Sequence, residues 1–151
     1  MERYKPRYFE LYELLPPELY KVDYYESESA RELGFGLLDE KLLITIDIIR
    51  GEIVKAPLIC NTWYMNGSRR NSGLRTYNCT IGATNSQHKL GKAVDLVCHS
   101  YTAEEIRQMI IAHKDLLPYP IRMEKGPDIT WVHIDTKDMD YRGRKIVLFK
   151  G

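Results

Sequence analysis

Two short segments of the chain combine histidine and aspartate in a way that could hold a metal ion. In the first, His88 precedes a bend at Gly91, and Asp95 follows within the apolar run Ala93–Cys98, which predicts a strand. A carboxylate on an apolar strand is costly to bury unless a cation or hydrogen bonds satisfy it. The segment therefore predicts an imidazole and a carboxylate ligand, although such a spacing alone more often marks two exposed polar residues.

The second segment places His133 between Trp131 and Asp135 on another predicted strand. Side chains alternate along a strand, so these three residues share one face. A histidine with a carboxylate beside it is well placed as a ligand with a partner, although a single such histidine is more often a hydrogen-bonded strand residue. Two histidines and one aspartate would leave a fourth position open, as in catalytic rather than structural zinc sites.

Helices are expected to supply most of the other core residues around these segments. A helical patch near residues 9–15 ends at Pro16-Pro17, and the tyrosines of residues 4–25 are expected to cover the core. A stronger helical pattern runs from Leu38 to Arg50, with Asp39 as its N-cap and Gly51 as its stop. The capping box Thr102–Glu105 begins another helix.

The strands are short and lie mainly late in the chain. They are predicted at residues 57–60, 93–98, 121–124, 130–136 and 145–150. Residues 61–92 form a long irregular stretch, which is often functional in a compact domain. We therefore predict an α+β fold: one domain over residues 1–151, with a small antiparallel sheet and flanking helices.

Four segments resemble one known family. Ser86–Asp95 resembles the Ser-x-His-x-x-Gly-x-Ala-x-Asp motif of the D-alanyl-D-alanine zinc metallopeptidases, which include cell-wall carboxypeptidases and phage endolysins and share their fold with the hedgehog signalling domain. Trp131–His133 resembles the family's Trp-Val-His element. Ser72–Arg75 resembles its Ser-Gly-x-Arg element, and Phe9–Glu13 resembles the opening of one branch. The resemblance spans residues 8–137 and implies a hedgehog-like fold.

The resemblance also implies roles for particular residues. His88, Asp95 and His133 would bind Zn²⁺, and Arg75 would contact the substrate. A guanidinium can steady a carboxylate or a developing oxyanion, although a surface salt bridge is the alternative for Arg75. Within the matching segments, Gln87 and Trp131 are further expected substrate contacts.

The general base is the point where the chain departs from the family. Relatives often carry a carboxylate or histidine two or three residues before the last ligand histidine, where this chain has Trp131 and Thr130. Glu124 and Asp128 are the remaining candidates. If strands 121–124 and 130–135 form a hairpin, Glu124 falls opposite His133 and near the metal. We therefore favour Glu124 as the base, with Asp128 as the alternative.

Together with the candidate ligands, the resemblance implies a zinc-dependent peptidase that cuts a stem peptide or cross-link of bacterial peptidoglycan. The alternative is a non-catalytic zinc module of the same fold that binds cell walls or belongs to a phage particle. A carboxypeptidase and an endopeptidase are both compatible with the sequence. We expect a monomer without a signal peptide, made in the cytoplasm and released to the cell wall by a phage lysis system.

Composition excludes other classes of function. The 151 residues include 22 basic and 21 acidic side chains, so a net charge of +1 gives no field to attract nucleic acid. No apolar run approaches the ~20 residues of a membrane-spanning helix. We expect neither nucleic-acid binding nor membrane insertion.

Overall fold

The computed structural model describes residues 3–83 and 85–151. Within these residues there are five α-helices: α1 (Leu11–Leu14), α2 (Pro17–Asp23), α3 (Glu28–Gly34), α4 (Glu40–Ile48) and α5 (Ala103–Ala112). The same residues contain four strands: β1 (Ala93–Leu96), β2 (Ile121–Lys125), β3 (Val132–Asp135) and β4 (Ile146–Lys150). Short 3₁₀ turns occupy Phe35–Leu37, Trp63–Met65, Gln87–Leu90 and Lys114–Leu116, and a π-helical segment occupies Ile49–Val54. The chain is a single α+β domain.

The strands form one mixed sheet in the order β1-β3-β2-β4. β3 pairs antiparallel with both β1 and β2, but β4 pairs parallel with β2, so the prediction of an antiparallel sheet was wrong at this edge. The reason is the route of residues 136–145. These residues lead the chain from the end of β3, past the neighbouring start of β2, to the start of β4. There Ile146 of β4 pairs with Ile121 of β2. β4 then runs against β3 in direction and hence along β2.

The two faces of the sheet differ in polarity. Alternate side chains of β1, β2 and β3 point into the core, where the fully buried residues Val94, Leu96, Ile121, Met123, Val132 and Ile134 pack against the helices. The opposite face carries the polar residues of all three strands. Burying one face therefore fixes which residues the other presents.

The sequence predicted where α4 and α5 begin, but it did not predict where α4 ends. Asp39 is the N-cap of α4, and Thr102 and Glu105 form the capping box of α5. Pro16-Pro17 follows the end of α1, and Pro17 also occupies the first turn of α2. A proline is favourable there because the N–H it lacks would have no partner within the helix. The predicted stop at Gly51 was wrong. The helix continues as the π-helical segment because Ile49 and Ile53 remain buried beyond α4.

Candidate metal centre

Three side chains converge on the polar face of the sheet. The candidate ligand atoms of His88, Asp95 and His133 all lie within 4.8 Å of one another. One Asp95 oxygen, Oδ1, lies 3.0 Å from Nδ1 of His133 and 3.4 Å from Nε2 of His88. The structure thus brings together the three residues that the sequence predicted as ligands, and they could hold a metal ion.

Strand pairing positions two of the three. Asp95 on β1 is the direct partner of His133 on β3. Directly opposed residues share a face of the sheet and approach closely, so the two side chains meet without help from a loop. The outer side of β1 is also held, because the Asp95 amide donates to the Ser72 carbonyl oxygen at 2.7 Å.

A short turn positions His88. The 3₁₀ turn Gln87–Leu90 begins with Ser86, whose hydroxyl accepts the His88 amide at 3.2 Å. It ends at Gly91 with a φ of +71°, a conformation that favours glycine. A Cβ on Gly91 would lie 2.2 Å from the Leu37 carbonyl oxygen. The serine and glycine of this segment therefore shape the turn that presents His88.

Hydrogen bonds select the nitrogen that each imidazole offers. His88 donates from Nδ1 to the Gly73 carbonyl oxygen at 2.9 Å, so Nε2, which lies 3.4 Å from Oδ1 of Asp95, is the nitrogen left for a metal. His133 donates from Nε2 to Oδ2 of Asp135 at 2.7 Å, which leaves Nδ1 toward Asp95. These assignments follow from the acceptors, which fix the tautomer of a ligand histidine. The remaining nitrogen of each ring faces the same oxygen, Oδ1 of Asp95.

Asp135 is in turn held by Arg122. The Asp135 side chain is fully buried and accepts two hydrogen bonds of 2.9 Å from Nε and Nη2 of Arg122. The guanidinium lies 4.0 Å from the ring centroid of Phe149, whose ring makes an edge contact with His133. Sequence analysis missed Arg122. Its place two residues before Glu124 on one strand face was the available signal.

The cluster already stabilises a positive charge. Burial disfavours protonation of His133, but hydrogen bonds to Asp135 and Asp95 outweigh it and raise the pKa to about 9. Burial likewise opposes ionisation of Asp95, yet hydrogen bonds from His133 and His88 hold its pKa well below the usual range. A proton between Nδ1 and the carboxylate thus occupies the place that a cation would take.

The residues fit a zinc ion by their chemistry. Two imidazole nitrogens and a carboxylate oxygen are preferred zinc ligands, and three protein ligands leave one position free. The cluster lies in a cleft of about 510 Å³ that is also lined by Arg75, Gln87, Glu124 and Trp131. The open side of the cluster therefore faces a space large enough for part of a peptide.

The two candidate bases differ in position. β2 pairs Arg122 with Asp135 and Met123 with Ile134, a register whose continuation places Glu124 opposite His133. Glu124 is half-buried and lines the cleft. Asp128 is exposed in the turn between β2 and β3 and is not among the residues that line it. Of the two carboxylates, Glu124 is therefore the one that lies at the cleft.

Arg75 is held in place at the cleft rather than free on the surface. Nε donates to the Asn71 carbonyl oxygen at 2.8 Å, and Nη1 donates to the Ile81 carbonyl oxygen at 3.3 Å. Nη2 lies 3.5 Å from Oδ2 of Asp95, the oxygen that does not face His133. The Arg75 amide also bonds to the His88 carbonyl oxygen. The guanidinium is thus fixed beside the ligand set.

Gln87 and Trp131 line the same cleft. Trp131 directly precedes β3, and its carbonyl oxygen accepts from Nη1 of the buried Arg107 at 3.0 Å. Gln87 is half-buried, and its Oε1 is buried without a hydrogen-bond partner among residues 3–83 and 85–151. Buried acceptors are normally satisfied, so this oxygen is available to an N–H group that enters the cleft.

The other two histidines lie away from this cluster. His99 is exposed after β1, and His113 is exposed at the C-cap of α5 with Nδ1 bonded to the Met109 carbonyl oxygen. Neither lines the cleft.

No protein-family model, curated protein or solved structure matches this chain. The resemblance to the D-alanyl-D-alanine metallopeptidases therefore rests on the sequence motifs themselves. Across the described part of the chain, no helix is both long enough and apolar enough to cross a bilayer.

Proposed function

We propose that this protein is a zinc-dependent peptidase that hydrolyses peptide bonds of bacterial peptidoglycan. The observation that carries the proposal is the convergence of His88, Asp95 and His133 within 4.8 Å beside an open cleft. The choice of peptidoglycan is supported by the resemblance of segments Ser86–Asp95 and Trp131–His133 to the cell-wall metallopeptidases.

His88, Asp95 and His133 would hold the zinc through Nε2, one carboxylate oxygen and Nδ1. Zinc bound there would supply Lewis-acid polarisation of the scissile carbonyl and a lower pKa for the attacking water. Asp135 keeps His133 in the tautomer that leaves Nδ1 free to bind.

Glu124 supplies the proton transfers in this proposal. A carboxylate on the neighbouring strand, opposite His133, can take a proton from the attacking water and pass it to the leaving amine. Arg75 is anchored by two carbonyl oxygens and can donate to the oxyanion that develops on the substrate. Each role belongs to a group that lines the cleft.

The test is digestion of purified peptidoglycan by metal-stripped protein with and without added zinc. We expect zinc to restore the release of fragments, and mass spectrometry should show new amino and carboxyl ends at one type of peptide bond. The same spectra identify which bond is cut. His88→Ala should abolish both zinc binding and release, whereas His99→Ala, at an exposed position outside the cleft, should affect neither.

A zinc-binding protein that releases nothing from any wall chemotype would refute the peptidase proposal. That outcome would favour the non-catalytic module, which is expected to sediment with insoluble peptidoglycan and leave it intact. Release by a phage lysis system belongs to the same proposal. It is tested by asking whether expression lyses cells only when the inner membrane is permeabilised.

A further inference from the structure

Four aromatic side chains near the start of the chain form a closed circuit of contacts. Tyr12 meets Tyr20 and Tyr64, with ring centroids 6.0 and 4.6 Å apart. Trp63 completes the circuit at 5.8 Å from Tyr20 and 5.9 Å from Tyr64. Three of the four contacts are edge-to-face, the geometry that aromatic pairs prefer, so the rings hold one another in place.

These rings line a cavity of about 420 Å³ together with Lys21, Tyr25 and Asn66. None of its lining residues belongs to the metal cleft. The sequence predicted that such tyrosines only cover the core, and Tyr20 does so at 6% exposure. Tyr12, Trp63 and Tyr64 are only half-buried, and Tyr25 is 66% exposed. Aromatic surface therefore remains open on the cavity side.

The cavity is firmly attached to the rest of the domain. Trp63 donates from Nε1 to the Leu15 carbonyl oxygen at 2.9 Å, which also accepts from the Asn61 side chain at 3.0 Å. The preceding Leu14 carbonyl oxygen accepts the Leu74 amide at 2.8 Å. The indole is thus fixed in place by its polar edge. A preformed aromatic cavity loses little entropy on binding.

Charge and polarity narrow the chemistry of a ligand. Lys21 Nζ lies 5.6 Å from the Trp63 ring centroid, so a cation already occupies the position that a cationic ligand would take. Among the described residues, no carboxylate lines the cavity, but the Tyr64 hydroxyl donates to the adjacent Glu13 carboxylate. The phenol groups and the Asn66 amide supply neutral hydrogen-bonding groups around the rings. With one ammonium and one carboxylate beside it, the cavity suits an uncharged ligand with flat apolar faces and many hydroxyl groups.

A saccharide has this combination, because a pyranose ring presents C–H groups on its faces and hydroxyls around its rim. A cavity of about 420 Å³ is within the range of small-molecule sites. We propose that the cavity bounded by Tyr12, Trp63 and Tyr64 is a binding site for a short oligosaccharide. The site works without metal and does not depend on the proposed peptidase function.

The experiment titrates the full-length protein with the β-1,4-linked tetramer of N-acetylglucosamine, followed by calorimetry and by saturation-transfer NMR. We expect millimolar or tighter binding that is equal with zinc and with a chelator. Tyr25→Ala removes a mostly exposed ring and should weaken binding about tenfold without loss of fold. Tyr77→Ala, at a side chain 93% exposed outside the cavity, is the matched control and should bind as the wild type does.

A second, more conservative variant separates a loss of binding from a loss of fold. Tyr12→Phe keeps the ring circuit and removes one hydroxyl, so it should fold normally and bind less tightly than the wild type. Absence of binding at 10 mM tetramer, or equal affinity in the wild type and Tyr25→Ala, would overturn the proposal. So would tighter binding of a proline-rich peptide that displaces the sugar, since that ligand would identify a peptide groove. Because none of these readouts involves cleavage, failure here leaves the peptidase test unaffected.

Discussion

Oδ2 of Asp135 lies 2.7 Å from Nε2 of His133, and the carboxylate is fully buried with both oxygens bonded to Arg122. This contact decides which nitrogen His133 can offer to a metal. Carboxylate partners of ligand histidines typically contribute 10–100-fold to metal affinity. Asp135 therefore belongs to the candidate metal centre through its contact with His133.

Asp135→Asn should weaken zinc binding about 10–100-fold, because an amide orients the imidazole less strongly than a carboxylate. Competition with a chromophoric chelator measures the affinity, and circular dichroism reports whether the fold is kept. Asp115→Asn, at an exposed position after α5, is the control and should bind zinc normally. An unchanged affinity in a folded Asp135→Asn variant would remove Asp135 from the site.

Glu124→Gln should retain zinc but lose hydrolysis by about 10²–10⁴-fold, since general-base catalysis contributes that much. The comparison variant is Asp128→Asn, which alters the exposed carboxylate in the adjacent turn. It should cleave at the normal rate. If the two variants exchange these phenotypes, the base is Asp128, and the register argument for Glu124 is wrong.

The metal-free protein should lose stability between about pH 6.5 and 9. The pKa of His133 is about 9 in the folded chain and about 6.5 in an unfolded one, so the protonated ring stabilises the fold fully below 6.5. That contribution, on the order of 1–3 kcal/mol, disappears as the pH rises through 9. Urea unfolding across this range measures it.

Saturating zinc should abolish the pH-dependent loss, because the metal replaces the proton on Nδ1. His99→Gln should keep the loss in the metal-free state, whereas His133→Gln should not show it. A metal-free protein of constant stability from pH 6.5 to 9 would contradict the hydrogen-bond geometry around His133.

Gly91→Ala should destabilise the protein more than Gly143→Ala. Both glycines have positive φ, +71° and +76°, so alanine costs each about 1 kcal/mol in backbone strain. Only at Gly91 does a new Cβ meet a backbone atom, whereas nothing lies within 4 Å at Gly143. We expect a fall in Tm of about 2–4 °C for Gly143→Ala and a clearly larger fall for Gly91→Ala.

The same pair of variants also reports on the metal site. Because Gly91 ends the turn that holds His88, its substitution should weaken zinc binding, while Gly143→Ala should leave zinc binding unchanged. Equal melting temperatures for the two variants would mean that the turn can shift without cost.

Arg75→Lys should lower kcat/KM about 10–100-fold with little change in zinc affinity. Lysine keeps the charge but loses the planar fork that bonds to two carbonyl oxygens beside Asp95. Arg70→Lys is the control, because Arg70 is exposed and pairs only with Glu18 at 3.5 Å. A loss of zinc equal to the loss of activity would make Arg75 a structural residue instead.

Short-range patterns predicted much of this protein. Alternation along two strands indicated that Asp95 shares a face with Ala93 and that His133 shares a face with Asp135, and burial of Val94 and Ile134 on the other face makes that orientation obligatory. Residue types typical of N-caps predicted where α4 and α5 begin, because such preferences depend on neighbours within a few residues. The three candidate ligands could be named because two short segments, taken together, resemble the motifs of one family.

Long-range packing decided the rest. The parallel pairing of β4, the continuation of α4 past Gly51 and the buried Arg122–Asp135 pair all depend on contacts between distant segments. The aromatic circuit joins Tyr12 and Tyr20 to Trp63 and Tyr64, which no local pattern links. The sequence alone therefore determined which side chains are candidates for a metal site. Only the tertiary structure determined how its ligands are oriented, because orientation depends on partners that are remote in the chain.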